Sequence, residues 1–159
     1  MIGASSVGKT SLVERYVNSI FSDKYLSTVG VKISKKALNV ADDDVTLVLW
    51  DMEGKDEFSD INVAYLRGAM GFILVADVTR LDTFEEALNI RQTAFNMLGS
   101  STPHILLLNK SDLPDWEVGE KQIEQAQGMG ISFLHTSAKT GHTVEEAFEA
   151  LTKAMLEKT

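Results

Sequence analysis

Residues Gly3-Ala4-Ser5-Ser6-Val7-Gly8-Lys9-Thr10 fit the spacing G-x-x-x-x-G-K-[ST] in full. That spacing suits a loop whose backbone wraps the phosphates of a nucleotide. Glycines allow the tight turns that aim successive N–H groups of Ser5, Ser6, Val7 and Gly8 at an anion. Lys9 then reaches the outer phosphates, and the Thr10 hydroxyl is suited to Mg²⁺. From Ser11 the spacing is helical, so the phosphates are expected at a helix N-terminus, where the macrodipole adds to the attraction.

Two further groups carry chemistry. Asp51 ends an apolar run, in Trp50-Asp51-Met52-Glu53-Gly54. A carboxylate there is costly without a partner, and beside a phosphate loop the expected partner is Mg²⁺, with Gly54 bringing a backbone N–H to the third phosphate. Asn109-Lys110-Ser111-Asp112 and Thr136-Ser137-Ala138-Lys139 each follow another apolar run. The Asp112 carboxylate can accept two hydrogen bonds from guanine N1–H and its exocyclic amine, a pair that adenine does not offer. Asn109 is expected to order the loop, the Lys110 stem to lie over the ring, and a backbone N–H of the Ser137-Ala138-Lys139 stretch to donate to guanine O6. Asp42-Asp43-Asp44 is a hairpin tip, because three adjacent residues in extended chain cannot converge on one ion.

These residues need a scaffold that brings four distant segments together. Val29–Val40 reads as a strand whose parity slips near Lys35-Lys36, suggesting a bulge or strong twist. Val45–Trp50, Gly71–Ala76, His104–Leu108 and Ile131–Leu134 read as further strands, several of them nearly continuous apolar runs of the kind buried in parallel sheets. Thr83-x-x-Glu86 and Thr143-x-x-Glu146 read as capping boxes opening amphipathic helices. The expected fold is α/β: a mostly parallel six-stranded sheet with helices on both faces and ligands at the strand ends. Residues 1–159 are expected to form one domain. Only Met1 and Ile2 precede the phosphate loop, too few for a strand of five or six residues. The expectation is that residues of a longer protein are missing there, or that something else fills the slot; otherwise two neighbouring strands are left unpaired.

The chain has 159 residues, no cysteine, 44% apolar and 24% charged residues. Disulfides, thiolate catalysis and cysteine-based zinc sites are thereby excluded, and His104, His135 and His142 lack ligand spacing. A net charge of −8 disfavours nucleic acid as a partner. No apolar run reaches membrane-span length, and a cytoplasmic monomer is expected.

With the four motifs in this order, the chain resembles the Ras-like small GTPases and, within them, the Rab-type branch. The resemblance runs over essentially the whole chain and implies a P-loop fold, GTP or GDP with Mg²⁺ as ligands, and slow hydrolysis of GTP. It implies that Thr28, in Tyr25–Val31, closes over Mg²⁺ and the γ-phosphate as part of a first switch, and that Phe21 packs beside guanine. Asp51 to about Gly68 is similar to the second switch. The implied partners are effectors, exchange factors and GTPase-activating proteins meeting these switches. The implied metal set is Thr10, Thr28 and Asp51; the implied catalytic set is Lys9, Thr28, Gly54 and Lys55.

The chain departs from the family in Asp51-Met52-Glu53-Gly54-Lys55, where Lys55 replaces the glutamine that orients the attacking water. Lysine has no acceptor for that water. It either lends positive charge near the γ-phosphate or points to solvent, and the second reading is preferred. No arginine finger is identified; Arg15, Arg67, Arg80 and Arg91 read as surface charges. No C-a-a-X pattern ends the chain, so no membrane anchor is carried over, and a peripheral membrane location is left to a lipidated tail outside this sequence. Two alternatives stand: a GTP-binding scaffold with negligible hydrolysis, and a nucleotide kinase, which would leave Asn109–Asp112 unexplained.

Overall fold

The computed structural model describes residues 1–24, 26–53 and 64–159. Within them the order is α1 (Lys9–Asn18), β1 (Val31–Val40), β2 (Asp43–Met52), β3 (Phe72–Asp77), α2 (Leu81–Leu98), β4 (His104–Asn109), α3 (Glu120–Gly128), β5 (Phe133–His135) and α4 (Val144–Leu156). Tyr25 and residues 54–63 lie outside the described residues, and with them Gly54, Lys55 and most of the expected second switch.

The side-chain alternation of β3 and β4 builds two apolar layers. Ile73, Val75, Ile105 and Leu107 pack with Leu12 and Tyr16 of α1 and with Ala147, Phe148 and Leu151 of α4. Phe72, Leu74, Ala76, Leu106 and Leu108 pack on the other side with Phe84, Ala87, Ile90 and Ala94 of α2 and Ala126 of α3. Both faces are covered, which is why these strands read as unbroken apolar runs. Tyr16 and Phe148 stack at 4.0 Å between ring centres, pinning α1 to α4.

Of the expected six-stranded, mostly parallel sheet, the described residues show five strands. The described strands form two sheets: an antiparallel pair β1–β2, and a parallel trio in the order β3–β4–β5. Met1 and Ile2 lie between the two sheets. Met1 donates its amino group to Trp50 O at 2.8 Å and accepts from Met52 N at 3.4 Å. Ile2 donates to Ile73 O at 2.9 Å and accepts from Val75 N at 3.0 Å. Met1 thus bonds β2 and Ile2 bonds β3, and among the described residues these bonds bridge the two sheets.

Three local expectations also change. The β1–β2 register runs without interruption from Val31↔Met52 to Val40↔Asp43, so no bulge exists at Lys35-Lys36. The parity slip has another origin: Ile33 faces solvent, whereas Lys36 turns inward over the Tyr16 ring, 4.0 Å from its centre. Ala41 and Asp42, both with positive φ, make the tight hairpin turn, a geometry matched to the strand twist. Neither threonine builds a capping box. Thr83 lies inside α2 and donates to Arg80 O at 2.7 Å; Thr143 has φ 49° and donates its hydroxyl to His135 O. Among the described residues no helix is long and apolar enough to cross a membrane.

Candidate functional site

A cleft of about 780 Å³ opens at the carboxyl ends of the strands. Its floor is the Gly3–Thr10 loop, which runs from Ile2 into α1. Gly8 caps α1 with φ 101°, and a Cβ there would stand 2.3 Å from Asn109 Nδ2, so glycine is required by both conformation and space. Ser6 also holds a left-handed φ of 65°. Lys9 is buried, and its ammonium donates to Gly3 O at 2.9 Å and Ala4 O at 2.7 Å. The loop carbonyls therefore hold the cation at the mouth of the loop. Ser5, Ser6, Gly8, Thr10 and Ser11 line the cleft, while the Val7 side chain is buried in the core.

Thr10, Thr28 and Asp51 meet although three separate segments supply them. Thr10 Oγ1 lies 2.6 Å from Thr28 Oγ1 and donates to Asp51 Oδ2 at 2.5 Å. Asp51 is fully buried, and its Oδ1 is the one buried side-chain polar atom without a hydrogen-bond partner among the described residues. Burial raises its carboxyl above the ordinary range, opposed by the Thr10 hydroxyl and by the positive charges of the amino terminus, Lys9 and Lys32. Two hydroxyls and one carboxylate, whose Oδ1 is the orphaned oxygen, form the hard-oxygen donor set that suits Mg²⁺. These residues fit such an ion.

The far end is built on β4 and β5. Asn109 is buried; its amide donates to Val7 O at 2.9 Å, and its Oδ1 accepts from Thr136 Oγ1 and Ala138 N, each at 3.3 Å. One side chain thus ties the phosphate loop to the Ser137-Ala138-Lys139 turn. Within that turn, Ala138 N is held by Asn109 Oδ1 and Ser137 N by His142 O at 3.2 Å. Ser137 donates its hydroxyl to Asp112 Oδ1 at 2.7 Å, fixing a carboxylate that is exposed at the cleft rim. Lys110, with φ 63°, bends back so that its ammonium pairs with Asp77 Oδ2 at 2.7 Å, while the residue still lines the cleft. Phe21 lines the same end and packs against the core beside α1.

Arg80 and Arg15, expected as surface charges, are half-buried and also make specific bonds. Arg80 donates to Asp77 Oδ2 at 3.2 Å and to Ser5 O at 2.9 Å, bracing the phosphate loop from behind. Arg15 donates to Ala138 O at 2.7 Å and to Lys139 O, holding the turn after β5. Arg91 donates to His104 Nε2 at 2.9 Å and lies over the Phe95 ring. Backbone carbonyls are their main partners near the cleft, and no sequence pattern marks those.

Compared with known proteins, the chain matches the Ras family over residues 1–157. It is similar to Ras-related protein Rab-13 of Canis lupus familiaris, 36% identical over 160 residues, which cover 99% of this chain and 79% of that protein. It is similar to Ras-related protein RABG3f of Arabidopsis thaliana at 37% over 165 residues, 98% of this chain and 80% of that one. Ras-related protein Rab-8B of Homo sapiens is 34% identical over 164 residues, 99% and 77% respectively.

Proposed function

This chain belongs to the Ras family, near its Rab branch, and on that premise we propose that it is a guanine-nucleotide switch that hydrolyses GTP slowly and regulates trafficking through partner proteins. The observation that carries the reading is the single cleft in which the Gly3–Thr10 loop, the Thr10–Asp51–Thr28 cluster and the Ser137–Asp112 pair converge.

The amides of Ser5 to Gly8 and the start of α1 receive the phosphates. Lys9, held by Gly3 O and Ala4 O, gives up these neutral acceptors for phosphate oxygens, a stronger charge-assisted exchange. Thr10, Thr28 and Asp51 would hold Mg²⁺, which neutralises charge on the phosphates when bound. Asp112, oriented by Ser137, reads the purine edge. Asn109 transmits order between the two ends, and the Lys110 stem and Phe21 flank the base.

Thr28 belongs to the segment before β1, and Gly54 follows β2. With the third phosphate between them the two segments share one arrangement, and without it they part, which is the order–disorder switch read by effectors. Hydrolysis is in-line attack by water, with the protein supplying charge and positioning. Lys55 cannot accept a hydrogen bond from that water, so intrinsic turnover is slow. A GTPase-activating partner that donates an arginine would speed it by about 10³–10⁵. Single-turnover assays of this chain against Lys55→Gln test that point: a faster variant is expected, and equal rates refute it. The nucleotide released on denaturing purified protein, identified by chromatography, tests the base: guanosine phosphates support the reading, adenosine phosphates overturn it.

A further inference from the structure

The phosphate loop is held by side chains that take its carbonyls. Lys9 takes Gly3 O and Ala4 O, Asn109 takes Val7 O at 2.9 Å, and Arg80 Nη2 takes Ser5 O at 2.9 Å. A peptide unit is planar and trans, so its C=O and the N–H of the next residue point in opposite directions. A donor on the Ser5 carbonyl therefore aims the Ser6 N–H the other way. Ser5 and Ser6 line the cleft and Arg80 does not, so the guanidinium stands outside the loop and the Ser6 amide faces the phosphate side. Ser6 holds its left-handed φ of 65° without being glycine, a conformation that persists only where the surroundings determine it.

Arg80 is itself well fixed. Its N–H donates to Asp77 O at 3.0 Å, and its carbonyl accepts from Thr83 N at 3.1 Å and Thr83 Oγ1 at 2.7 Å. Its Nε donates to Asp77 Oδ2 at 3.2 Å, an oxygen shared with the Lys110 ammonium. Asp77 is buried. One rigid guanidinium plane thus spans a buried carboxylate and a loop carbonyl.

We propose that Arg80 is a positioning residue for the outer phosphates: braced on Asp77, it holds the Ser5–Ser6 peptide so that the Ser6 N–H meets the nucleotide, and this slows the release of a nucleoside diphosphate or triphosphate. The inference rests on the nucleotide reading above and adds to it a residue outside the cleft. Ser5 adjoins Ala4, whose carbonyl holds the Lys9 ammonium, the group that reaches the outer phosphates. The Ser6 amide therefore serves that end, and the base end at Asp112 is not touched. Two actions of Arg80 are separable by chemistry. Its positive charge attracts phosphates through space, and lysine supplies that charge equally. Fixing the peptide plane needs one nitrogen on Asp77 and another on Ser5 O. A lysine ammonium, shorter and without a fork, keeps the first bond and loses the second.

Fluorescent GDP bound to the full chain is displaced by GDP and by GMP, and its dissociation is timed, for the parent, Arg80→Met and Arg80→Lys. In Arg80→Met, GDP should leave about tenfold faster and bind about tenfold more weakly, while GMP affinity changes by less than about twofold. Arg80→Lys should lose most of the same factor for GDP. Unchanged GMP affinity also shows that the variants are folded at the base end. GDP binding at the parent level in Arg80→Met would overturn the proposal. So would an equal loss for GMP and GDP, which would place the effect in the fold or in Lys110, and so would full rescue by Arg80→Lys, which would leave charge alone as the cause. A parent chain that binds no GDP overturns the nucleotide reading together with this inference; a parent that binds GDP and is matched by both variants overturns this inference alone.

Discussion

Glu53 and Gly30 are joined by two reciprocal hydrogen bonds. Gly30 N donates to Glu53 Oε2 at 3.0 Å, and Glu53 N donates to Gly30 O at 2.8 Å. The pair fastens the segment that carries Thr28 to the end of β2, and Glu53 lines the cleft. A protein carboxylate thus holds two segments that the proposed switch would have a phosphate hold. Glu53→Gln keeps the size and removes the charge. It should cost about 1 kcal/mol of stability and, by removing an anion from the phosphate end, raise affinity for GTP several-fold more than for GDP. Calorimetric titration of both nucleotides checks the ratio, and an unchanged ratio refutes the role.

Asp51 is a stability cost placed where the site needs a carboxylate. Burial raises its carboxyl and Oδ1 lacks a partner, so the ionised form is disfavoured in the folded chain. Asp51→Asn should leave the ligand-free protein as stable or more stable, and should abolish the increase in melting temperature that Mg²⁺ with GTP gives the parent chain. Thermal unfolding with and without Mg²⁺ and nucleotide reads both effects. A destabilised ligand-free variant that still responds to Mg²⁺ contradicts the assignment.

Acid stability should depend on Asp77. Burial alone would raise its carboxyl, but the Lys110 ammonium and the Thr79 hydroxyl and amide outweigh that and hold it below the ordinary range. A depressed carboxyl contributes stability that is present above its unfolded value, near 3.8, and is lost as the pH falls through the folded value. Asp77→Asn should therefore lower stability at neutral pH and flatten the acid limb below about pH 4. Urea unfolding across pH 2 to 7, on scales set by the carboxyl range, reads the slope; parallel curves for both proteins would deny Asp77 the role.

Ser137→Ala should weaken guanine nucleotides without changing base choice. The lost hydroxyl frees Asp112 to rotate, at about 1 kcal/mol or roughly fivefold in affinity. Equal binding by the variant would show that Asp112 needs no such support.

Much of the cleft was legible because its chemistry constrains both residue type and spacing. The 3–10 loop, Asp51, Asn109–Asp112 and Thr136–Lys139 all come to one place in the order read from the chain. The apolar runs of β3 and β4 were equally plain, since a strand covered on both faces has no polar side to show. What escaped has particular causes. Arg80 and Arg15 serve carbonyls 75 and 123 residues away, and carbonyls leave no mark in a sequence. Thr83 carries a capping pattern, yet its hydroxyl is spent on Arg80 O and on the Asp77 amide. Ile33 and Lys36 reverse the usual burial preference because the long lysine stem can cover an aromatic ring.

Displacement of a fluorescent guanosine diphosphate from this chain by unlabelled GTP and ATP, repeated on Asp112→Ala, tests the central claim most directly. GTP should displace the probe far better than ATP, and the alanine variant should lose roughly 1.5–3 kcal/mol of guanine affinity, about 10- to 150-fold, with its preference over adenine collapsing. Equal displacement by ATP, or an undiminished guanine preference in the variant, would contradict it.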